Sequence, residues 1–514
     1  MKVFSGCRIV FGFAFVLTAC QGKGQSGNGG GTVTASGGSS GPTASGGSGG
    51  PTATGGSGGP TATGGSGGPT ATGGSGGAKA SGGITGAAGA TASGGRVGTG
   101  GAVGSGGAGG VSGTAGAGGD CIGASMLDKL GKNRLLVGVT TSDATAAMAP
   151  FDLRYIYISG GLFDSPEPCT ACDSSCTASG NMCTSGCAWW GCYNTPPGMY
   201  VGYFMQAAAK NNQIPMFTYY EILQTAQATF TGFSEGKAEA TQAAVSASLM
   251  TRYYADWRFL LQQIGTAKAL LHIEPDFWGY ARQAGSPTSV AAAVASANPT
   301  DCGALPDTIA GMGQCLIAMV RKYAPNALVG LHASAWNIAS NTDAHTDVTT
   351  DAKSLATFLA ACGQSDADFV VVETSDRDAG YYQVVKNQNY WWDATDTTLP
   401  DYAQHLTWVK ALTEALGTPA LYWQTPLGNA SQSDVPDHYQ DNRVDYFFGG
   451  NAAGVLSGSP TMVPAHWSAL AAAHVVGVAF GAGAGDQTTP DTDGGYLVSK
   501  TKAYVSAGGQ PLCP

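Results

Sequence analysis

Eight short apolar runs between residues 135 and 481 limit the fold of this chain more than any other feature. Each run is rich in β-branched or aromatic residues, and longer stretches with apolar residues at helical spacing separate the runs. Apolar strands that alternate with helices are typical of a parallel sheet covered on both faces. Eight such units predict an α/β fold, the (β/α)8 TIM barrel, with a doubly wound open sheet as the alternative. The predicted strands are LLVGVT (135–140), LRYIYIS (153–159), IPMFTYY (214–220), LLHIE (270–274), ALVGLHA (327–333), DFVVVET (368–374), ALYWQT (420–425) and VVGVAFG (475–481).

The first 119 residues have a different composition. Residues 20–119 are almost wholly Gly, Ser, Thr, Ala and Pro, and the nine-residue unit GGSGGPTAT repeats within them. Such a segment has too little apolar surface to offset the entropy lost on folding, so we expect a disordered tether. Residues 120–514 remain, and they are long enough for one large domain, the predicted barrel.

Residues 1–19 have the pattern of an export signal. Lys2 and Arg8 supply positive charge, and the apolar run that follows is too short to span a bilayer as a helix. Its end, LTAC (17–20), resembles the lipobox of bacterial lipoproteins. The resemblance implies cleavage before Cys20, acylation of the Cys20 thiol, and a lipid anchor in the outer membrane or at the cell surface. An ordinary signal with an incidental cysteine is the alternative.

The net charge of −10 at pH 7 belongs mainly to residues 120–514, because the tether is nearly uncharged. An acidic surface argues against nucleic acid or anionic lipid as a partner. We expect a monomer that contacts the membrane through its lipid anchor alone.

Six of the 13 cysteines fall within 24 residues, CTACDSSCTASGNMCTSGCAWWGC (169–192), after the second predicted strand. Export places them in an oxidising compartment, where disulfides persist. Zinc is the alternative, but the segment has no histidine and its spacings fit no zinc-ribbon pattern. We predict a disulfide-rich loop that forms a rigid wall of the substrate groove. The cysteines of this loop are Cys169, Cys172, Cys176, Cys183, Cys187 and Cys192.

Two further disulfides are expected in the domain. Cys302 can pair with Cys315, and Cys121 can pair with Cys513 and so join the two ends of the barrel domain. Cys362 lies in an apolar helical pattern and is the best candidate for a buried free thiol.

Carboxylates and aromatic residues follow the predicted strands, where a barrel has its active site. Sugar rings present flat C–H faces that stack on aromatic planes, and their hydroxyl groups need fixed polar partners. The mixture predicts a carbohydrate-binding rim. The predicted substrate-binding residues are Asp276, Asp376, Glu221, Trp278, Trp336, His332, Trp423, Gln424, Trp189, Trp190, Trp391 and Trp392.

Glycoside hydrolysis needs one carboxyl group to protonate the leaving oxygen and a second to attack the sugar or activate water. Glu274 ends the fourth predicted strand, and period-two alternation puts it on the same side as His272. An apolar setting at the barrel mouth would raise its pKa and suit it to the acid role. Glu373 ends the sixth predicted strand and is assigned as nucleophile or base. The reserve carboxylates are Asp276, Asp376 and Glu221.

The stretch LLHIEPDFWGY (270–280) resembles the IEPD strand of the cellobiohydrolases of glycoside hydrolase family six. The resemblance is short and does not extend to that family's Asp-containing loop after strand two. More broadly, FDLRYIYISGG, IPMFTYYEILQ, WQTPLGN and HYQDNRVDYFF resemble a group of secreted bacterial proteins regarded as (β/α)8 glycosidases without an established activity. That wider resemblance covers most of the domain and implies a barrel glycosidase.

Other patterns carry less weight. GFSEG (232–236) matches the G-x-S-x-G nucleophile elbow, but no clear strand leads into Ser234. The sequence has no HExxH motif, no P-loop and no histidine cluster with ligand spacing, so no metal or other cofactor is expected in the active site. The oxygen-rich segment DQTTPDTD (486–493) is a weak candidate for a structural calcium ion.

The sequence therefore predicts a surface-tethered glycoside hydrolase that cleaves an extracellular polysaccharide, with a β-glucan such as cellulose as the candidate substrate. Paired carboxylates at the rim favour this function. A non-catalytic carbohydrate-binding or cell-surface protein on a barrel scaffold is the alternative. Gln424 favours the alternative, because many barrel glycosidases have a glutamate on strand seven.

Overall fold

The computed structural model describes residues 121–159, 189–192, 196–335, 347–452, 461–481 and 485–513. Within these ranges eight parallel strands form a closed barrel. The barrel strands are β1 Leu136–Val139, β2 Leu153–Ser159, β3 Ile214–Tyr220, β4 Leu270–Ile273, β5 Leu328–Ala333, β6 Val370–Val372, β7 Ala420–Thr425 and β10 Val475–Phe480. A separate antiparallel pair consists of β8 Gly449–Ala452 and β9 Thr461–Ala465.

Each predicted apolar run contains one barrel strand, so the predicted (β/α)8 barrel is confirmed. Neighbours in the chain are neighbours in the sheet from β1 to β7, and β10 lies between β7 and β1. Leu136 of β1 pairs with Gly477 of β10, which closes the sheet. This closure excludes the open doubly wound sheet, whose first and last strands do not meet.

Helices connect the strands and cover the outside of the barrel. Side-chain caps fix the starts of several of them: the hydroxyl groups of Ser246 and Thr308 and the carboxylate of Asp401 accept backbone N–H groups two or three residues into the helix. The helices are α1 Ala124–Leu130, α2 Asp143–Ala146, α3 Trp189–Cys192, α4 Met199–Lys210, α5 Ile222–Thr229, α6 Ala247–Ile264, α7 Phe277–Ala284, α8 Pro299–Cys302, α9 Ile309–Tyr323, α10 Val348–Ala361, α11 Ala379–Tyr381, α12 Tyr402–Leu416, α13 Arg443–Phe448, α14 Trp467–Ala472 and α15 Tyr496–Ser506.

The barrel interior is packed with side chains below its mouth. Tyr155 and Tyr157 of β2 meet Trp423 of β7 with ring centroids 5.5 to 6.3 Å apart. Gly138 of β1 lies against the neighbouring strands so closely that a Cβ there would be 3.0 Å from the Cβ atoms of Ala479 and Leu153. The interior is therefore a core and not a pore, and chemistry is confined to the ends of the strands.

Both predicted long-range disulfides are present. Cys121 pairs with Cys513, and Cys302 pairs with Cys315. Cys362 is the unpaired, buried cysteine among those that the structure describes, as predicted, and burial raises the pKa of its thiol. Cys169, Cys172, Cys176, Cys183 and Cys187 lie outside the described residues, and Cys192 belongs to α3.

The predicted export signal, Cys20 and the tether also lie outside the described residues. Among the helices in the described ranges, none combines the length and the apolar character needed to cross a membrane.

Candidate active site at the carboxyl ends of the strands

Asp276, His332 and Glu373 meet at the mouth of the barrel. His332 is on β5, Glu373 directly follows β6, and Asp276 follows β4 at the start of α7. One oxygen of each carboxylate and one ring nitrogen of His332 lie within 4.8 Å of one another. All three are site residues predicted from the sequence. The carboxylate that lies near Glu373 is Asp276, which the sequence suggested as a secondary candidate, and not Glu274.

A line of polar side chains reaches Glu373 from across the barrel interior. Thr218 Oγ1 lies 3.2 Å from His272 Nδ1, and His272 Nε2 lies 3.1 Å from His332 Nδ1. His332 Nε2 lies 3.8 Å from Glu373 Oε1 and has no hydrogen-bond partner among the described residues. Strands β3, β4 and β5 supply one member each of this line, which we name the histidine chain: Thr218, His272 and His332.

Burial fixes the charge state of the histidine chain. It lowers the pKa of His332 to about 3, and burial together with the neighbouring His332 lowers the pKa of His272 well below its usual value. Both rings are therefore neutral at pH 7. We assign the protons so that Thr218 donates to His272, His272 donates to His332, and the Nε2–H of His332 points at Glu373.

Glu274 is buried and its side chain is held by backbone N–H groups, so its catalytic role stays a prediction. Its φ of 47° takes the backbone out of the β region directly after Ile273, so alternation no longer sets the direction of its side chain. Its Oε1 accepts the N–H groups of Glu221, at 3.0 Å, and Ile222, at 3.3 Å. The side chain is buried, and burial raises its pKa to about 8. The predicted pKa shift is therefore present.

A β-bulge in β7 turns Gln424 into the mouth. Between Tyr422 and Thr425, β7 has one residue more than the facing stretch of β10. Gln424 lies in this interval with a φ of 53°, and its Oε1 accepts a hydrogen bond from the Tyr157 hydroxyl. Bulges of this kind re-aim a side chain and are over-represented beside active sites.

Tyr157 is a site residue that the sequence analysis missed. Burial raises the pKa of its hydroxyl well above the usual value, and Tyr155 and the carboxylates of Glu373, Asp276 and Asp376 raise it further. Its hydroxyl therefore lies among the acidic groups of the mouth. The available signal was its alternation with Tyr155 along β2, which places both rings on one side of the strand.

Asp376 lies at the exposed rim, and Glu221 does not. The Tyr382 hydroxyl donates to Asp376 Oδ1, and Arg377 Nε lies 3.7 Å from Asp376 Oδ2. Glu221, which precedes α5, is buried. Its backbone N–H donates to Glu274, and the predicted role of its side chain at the substrate stays a prediction.

Most of the predicted tryptophans in the described residues are packing residues, which corrects their assignment to the sugar-binding rim. Trp190 is 0% exposed and stacks on Phe259 of α6 at 5.2 Å. A ring covered by protein on both faces cannot stack on a sugar. Trp423 lies under the mouth, with its ring edge-on to His272 and His332. The other buried rings are Trp278, Trp391 and Trp392. Trp336 and the side chain of Trp189 lie outside the described residues.

The two weak motifs have other roles. In the segment 486–493, Asp491 accepts the hydroxyl groups of Thr141, Ser142 and Thr145, and Asp493 accepts backbone N–H groups of α15. The oxygen-rich composition of this segment suggested a calcium site. Hydroxyl and N–H groups donate to the oxygens of Asp491 and Asp493, however, and this arrangement disfavours a bound calcium ion. Ser234 lies in an irregular segment after α5, so no strand leads into it as a nucleophile elbow requires.

A divalent cation is an alternative occupant of Asp276, His332 and Glu373. One imidazole nitrogen and two carboxylate oxygens suit Zn²⁺ or Mn²⁺, and His272 holds the second ring nitrogen of His332 as an outer ligand shell does. No local sequence motif indicates this cluster, because Asp276, His332 and Glu373 are far apart in the chain. The same carboxylates cannot serve at once as cation ligands and as acid and nucleophile.

No protein-family model matches the sequence, and no curated protein matches it. Solved structures that the chain resembles include glycoside hydrolases of several families. A xyloglucan-specific β-1,4-glucanase of family 5 from a ruminal metagenomic library is 13% identical over 73% of this chain and 89% of its own, with a TM-score of 0.37. A modular endo-β-1,4-mannanase of family 26 from Cellulomonas fimi is 12% identical over 74% and 73%, with a TM-score of 0.40. The endoglucanase Cel6 from Mycobacterium tuberculosis is 14% identical over 52% and 67%, with a TM-score of 0.25.

Proposed function

We propose that this protein is a glycoside hydrolase that cleaves an extracellular polysaccharide, with Glu373 and Asp276 as its two catalytic carboxyl groups. The observation that carries the proposal is the approach of these two side chains at the mouth of a closed barrel, with carboxylate oxygens within 4.8 Å. A β-glucan is the candidate substrate, from the resemblance of residues 270–280 to a cellobiohydrolase strand.

The short distance between the two carboxylates favours hydrolysis with retention of anomeric configuration. Retaining enzymes place their carboxyl groups about 5–5.5 Å apart, whereas inverting enzymes leave about 6.5–9.5 Å for a water molecule. In the retaining scheme Glu373 attacks the anomeric carbon and Asp276 protonates the leaving oxygen. Asp276 then takes a proton from the water that releases the sugar from Glu373.

The roles follow from the neighbours of each group. His332 Nε2 lies 3.8 Å from Glu373 Oε1, and we infer that this N–H closes to hydrogen-bond distance when substrate binds, which would favour an ionised carboxylate, as a nucleophile requires. Tyr157 and Gln424 lie beside the pair and offer a hydroxyl and an amide to sugar hydroxyl groups. Glu274 stays behind the mouth as a buried group.

The test uses the purified full-length chain and a panel of β-glucans, xyloglucan, xylan and mannan, with released sugars measured by chromatography. We expect Glu373→Gln and Asp276→Asn each to lower the rate by about 10³-fold, because acid–base and nucleophilic groups contribute on that order. The matched control Glu274→Gln keeps activity within about tenfold, since it removes a carboxyl group that does not reach the mouth. NMR of the first product tests retention.

Three outcomes would contradict the assignment. Full activity in Glu373→Gln and Asp276→Asn would place the chemistry elsewhere. Loss of activity in EDTA, restored by Zn²⁺ or Mn²⁺, would indicate that Asp276, His332 and Glu373 bind a metal ion. Retention of the protein on an insoluble glycan without any sugar release would favour the non-catalytic carbohydrate-binding protein.

We also propose that the chain is exported and held at the cell surface by a lipid on Cys20. A flexible tether of about 100 residues has an r.m.s. reach of roughly 50–60 Å, enough for a barrel to move over a substrate surface. Cys20→Ser should move the protein from the membrane fraction to the soluble fraction of the producing cell. An unchanged membrane fraction would contradict the anchor.

A further inference from the structure

Tyr382 and Tyr390 form a stacked aromatic pair at the rim, shortly after Glu373 in the chain. Their ring centroids are 3.7 Å apart and the planes differ by 13°. Tyr390 is 41% exposed, which is high for a large aromatic side chain in this protein. Among the described residues the predicted tryptophans are buried, whereas Tyr390 of this pair offers an accessible aromatic surface.

Hydrogen bonds hold the turn that carries the pair. The N–H of Gln388 donates to the carbonyl of Tyr382 at 3.0 Å. Trp391 is buried directly after Tyr390; its backbone N–H donates to Asn389, and its Nε1 donates to Gln383 at 2.7 Å. The two tyrosine rings therefore belong to a pre-formed surface, which loses little conformational entropy when a ligand binds.

A carboxylate lies at the edge of the pair. Asp376 is 45% exposed at its side chain and accepts the Tyr382 hydroxyl. Burial and the nearby Asp376 raise the pKa of Tyr390, which is consistent with both tyrosines lying beside this carboxylate. A flat aromatic face with a carboxylate at its edge suits a pyranose ring, whose C–H face is apolar and whose hydroxyl groups donate hydrogen bonds.

The pair is continuous with the candidate active site. Asp376 is three residues after Glu373, which directly follows β6, and Asp376 accepts the hydroxyl of Tyr382 in the pair. A polysaccharide that reaches Glu373 therefore passes Asp376 and the tyrosine pair at the same rim.

We propose that Tyr390, supported by Tyr382 and Asp376, is a binding platform for a pyranose ring of the polysaccharide chain, outside the bond-cleaving position. The proposal rests on the polysaccharide-directed function proposed above, but binding at the platform requires no hydrolysis. Exposed Val384 and Val385 lie in the π-helical stretch Tyr382–Lys386, and a protein partner that docks on them is the competing occupant.

The experiment measures binding of soluble polysaccharides and of oligosaccharides of increasing length to the full-length chain, by calorimetry and by retardation in polysaccharide-containing gels. Glu373→Gln serves as the background so that the ligand is not consumed. Tyr390→Ala should weaken binding of long chains about tenfold, as loss of one aromatic stacking contact does. Short oligosaccharides that do not reach the platform should bind as before. Tyr390→Phe, which keeps the ring, should bind like the parent.

Tyr203→Ala is the matched control, because Tyr203 is a 49% exposed tyrosine on α4. Equal binding by Tyr390→Ala and its parent, or an equal loss in Tyr203→Ala, overturns the platform. Binding that depends on Tyr390 without any sugar release supports the platform and contradicts the hydrolase. Sugar release that depends on Glu373, with KM unchanged in Tyr390→Ala, supports the hydrolase and contradicts the platform.

Discussion

His332 determines how Glu373 is held, because its Nε2 is the nitrogen that faces that carboxylate. Burial lowers the pKa of His332 to about 3, so the ring stays neutral over the pH range in which a catalytic pair of carboxyl groups is active. The ring is therefore a neutral group beside Glu373 and not an ion-pair partner or a general base. The 3.8 Å distance to Glu373 Oε1 is long for a hydrogen bond, and such contacts tighten when substrate is bound.

We expect His332→Leu to lower kcat about 10²-fold, because Glu373 loses a nearby N–H group that favours its ionised form. The acidic limb of the pH profile of kcat/KM should move to higher pH, since a carboxylate that loses a donor is protonated more readily. Thr218→Val, at the far end of the histidine chain, should have a smaller effect in the same direction. A lower melting temperature with an unmoved acidic limb would make His332 a packing residue only.

The sequence places Glu373 and Glu274 at the ends of their strands, but it does not give the direction of the Glu274 side chain. Glu373 follows β6 without a break, so alternation carries it into the mouth. Glu274 has a left-handed backbone conformation that a residue pattern does not reveal. The Pro275 that follows disfavours the helical region for Glu274 but does not specify which other region it takes.

At the scale of elements, one buried cation ties the loops of the mouth together. Arg443, at the start of α13, is fully buried and donates to Asp441 at 2.7 Å and to Thr374 at 2.9 Å. Asp441 accepts the N–H of Ala379 after β6. Asp378 accepts N–H groups from the loops after β7 and β10, at Gly428 and Thr488. The segment that carries Asp376 is thereby fixed to its neighbours.

Arg443→Met should lower the free energy of unfolding by about 3–5 kcal/mol, because it leaves buried Asp441 without its cation. Arg443→Lys should recover only part of this loss, since an ammonium group cannot reach Asp441 and Thr374 with a planar fork. Denaturant titration measures both variants. A loss below about 1 kcal/mol in Arg443→Met would contradict a structural role for this ion pair.

The strands were predictable because their apolar runs are bounded by polar and glycine-rich segments, and each run contains one strand. The two long-range disulfides followed from cysteine positions alone. The tryptophans were not predictable, because the sequence pattern shows that a ring follows a strand but not which way it faces. Trp190 illustrates this, since its short helix packs it against α6. The bulge that aims Gln424 into the mouth likewise depends on the register between β7 and β10.

At the scale of the whole molecule, the two described disulfides close loops of very different size. Cys302 and Cys315 are 13 residues apart, whereas Cys121 and Cys513 are 392 residues apart. Loop-entropy scaling gives about 3 kcal/mol for the first and about 6 kcal/mol for the second. Cys121→Ala/Cys513→Ala should therefore lower the free energy of unfolding more than Cys302→Ala/Cys315→Ala, as measured in denaturant without reductant. Equal losses would mean that the unfolded chain is already compact.

Buried carboxyl groups set the pH dependence of stability. Burial raises the pKa of Glu274 and of Asp378 to about 8 and that of Asp256 to about 7. The folded protein thus keeps protons that the unfolded chain releases above about pH 4. Their stabilising contribution is complete below that pH and is lost as the pH rises through 7 to 8, by up to about 1.4 kcal/mol per pH unit and group.

Asp301 acts in the opposite direction at acid pH. Burial opposes its ionisation, but hydrogen bonds from Lys322, Arg258 and Tyr323 outweigh burial and lower its pKa to about 2. Its contribution is present above about pH 4 and is lost as the pH falls towards 2. Burial lowers the pKa of His332 and of His405 to about 3, so their contribution is lost as the pH falls below about 6.5 and opposes that of the buried carboxyl groups between about pH 4 and pH 6.5. The melting temperature should therefore fall most clearly as the pH rises from about 6.5 to 8.

The alkaline fall tests the buried acids directly. Glu274→Gln keeps an oxygen that accepts the same two backbone N–H groups, whereas Asp378→Asn keeps only one of the two oxygens that accept the N–H groups of Gly428 and Thr488. Neither new side chain can ionise, so each variant should reduce the drop in melting temperature between pH 6 and pH 9. Asp128→Asn changes an exposed carboxylate on α1 and is the matched control. If all three variants follow the parent curve, Glu274 and Asp378 reach water when ionised, and the raised pKa values do not govern stability. If the first two flatten the curve and the control does not, the proton on Glu274 belongs to the fold, and the acid that serves the substrate is the one that faces Glu373.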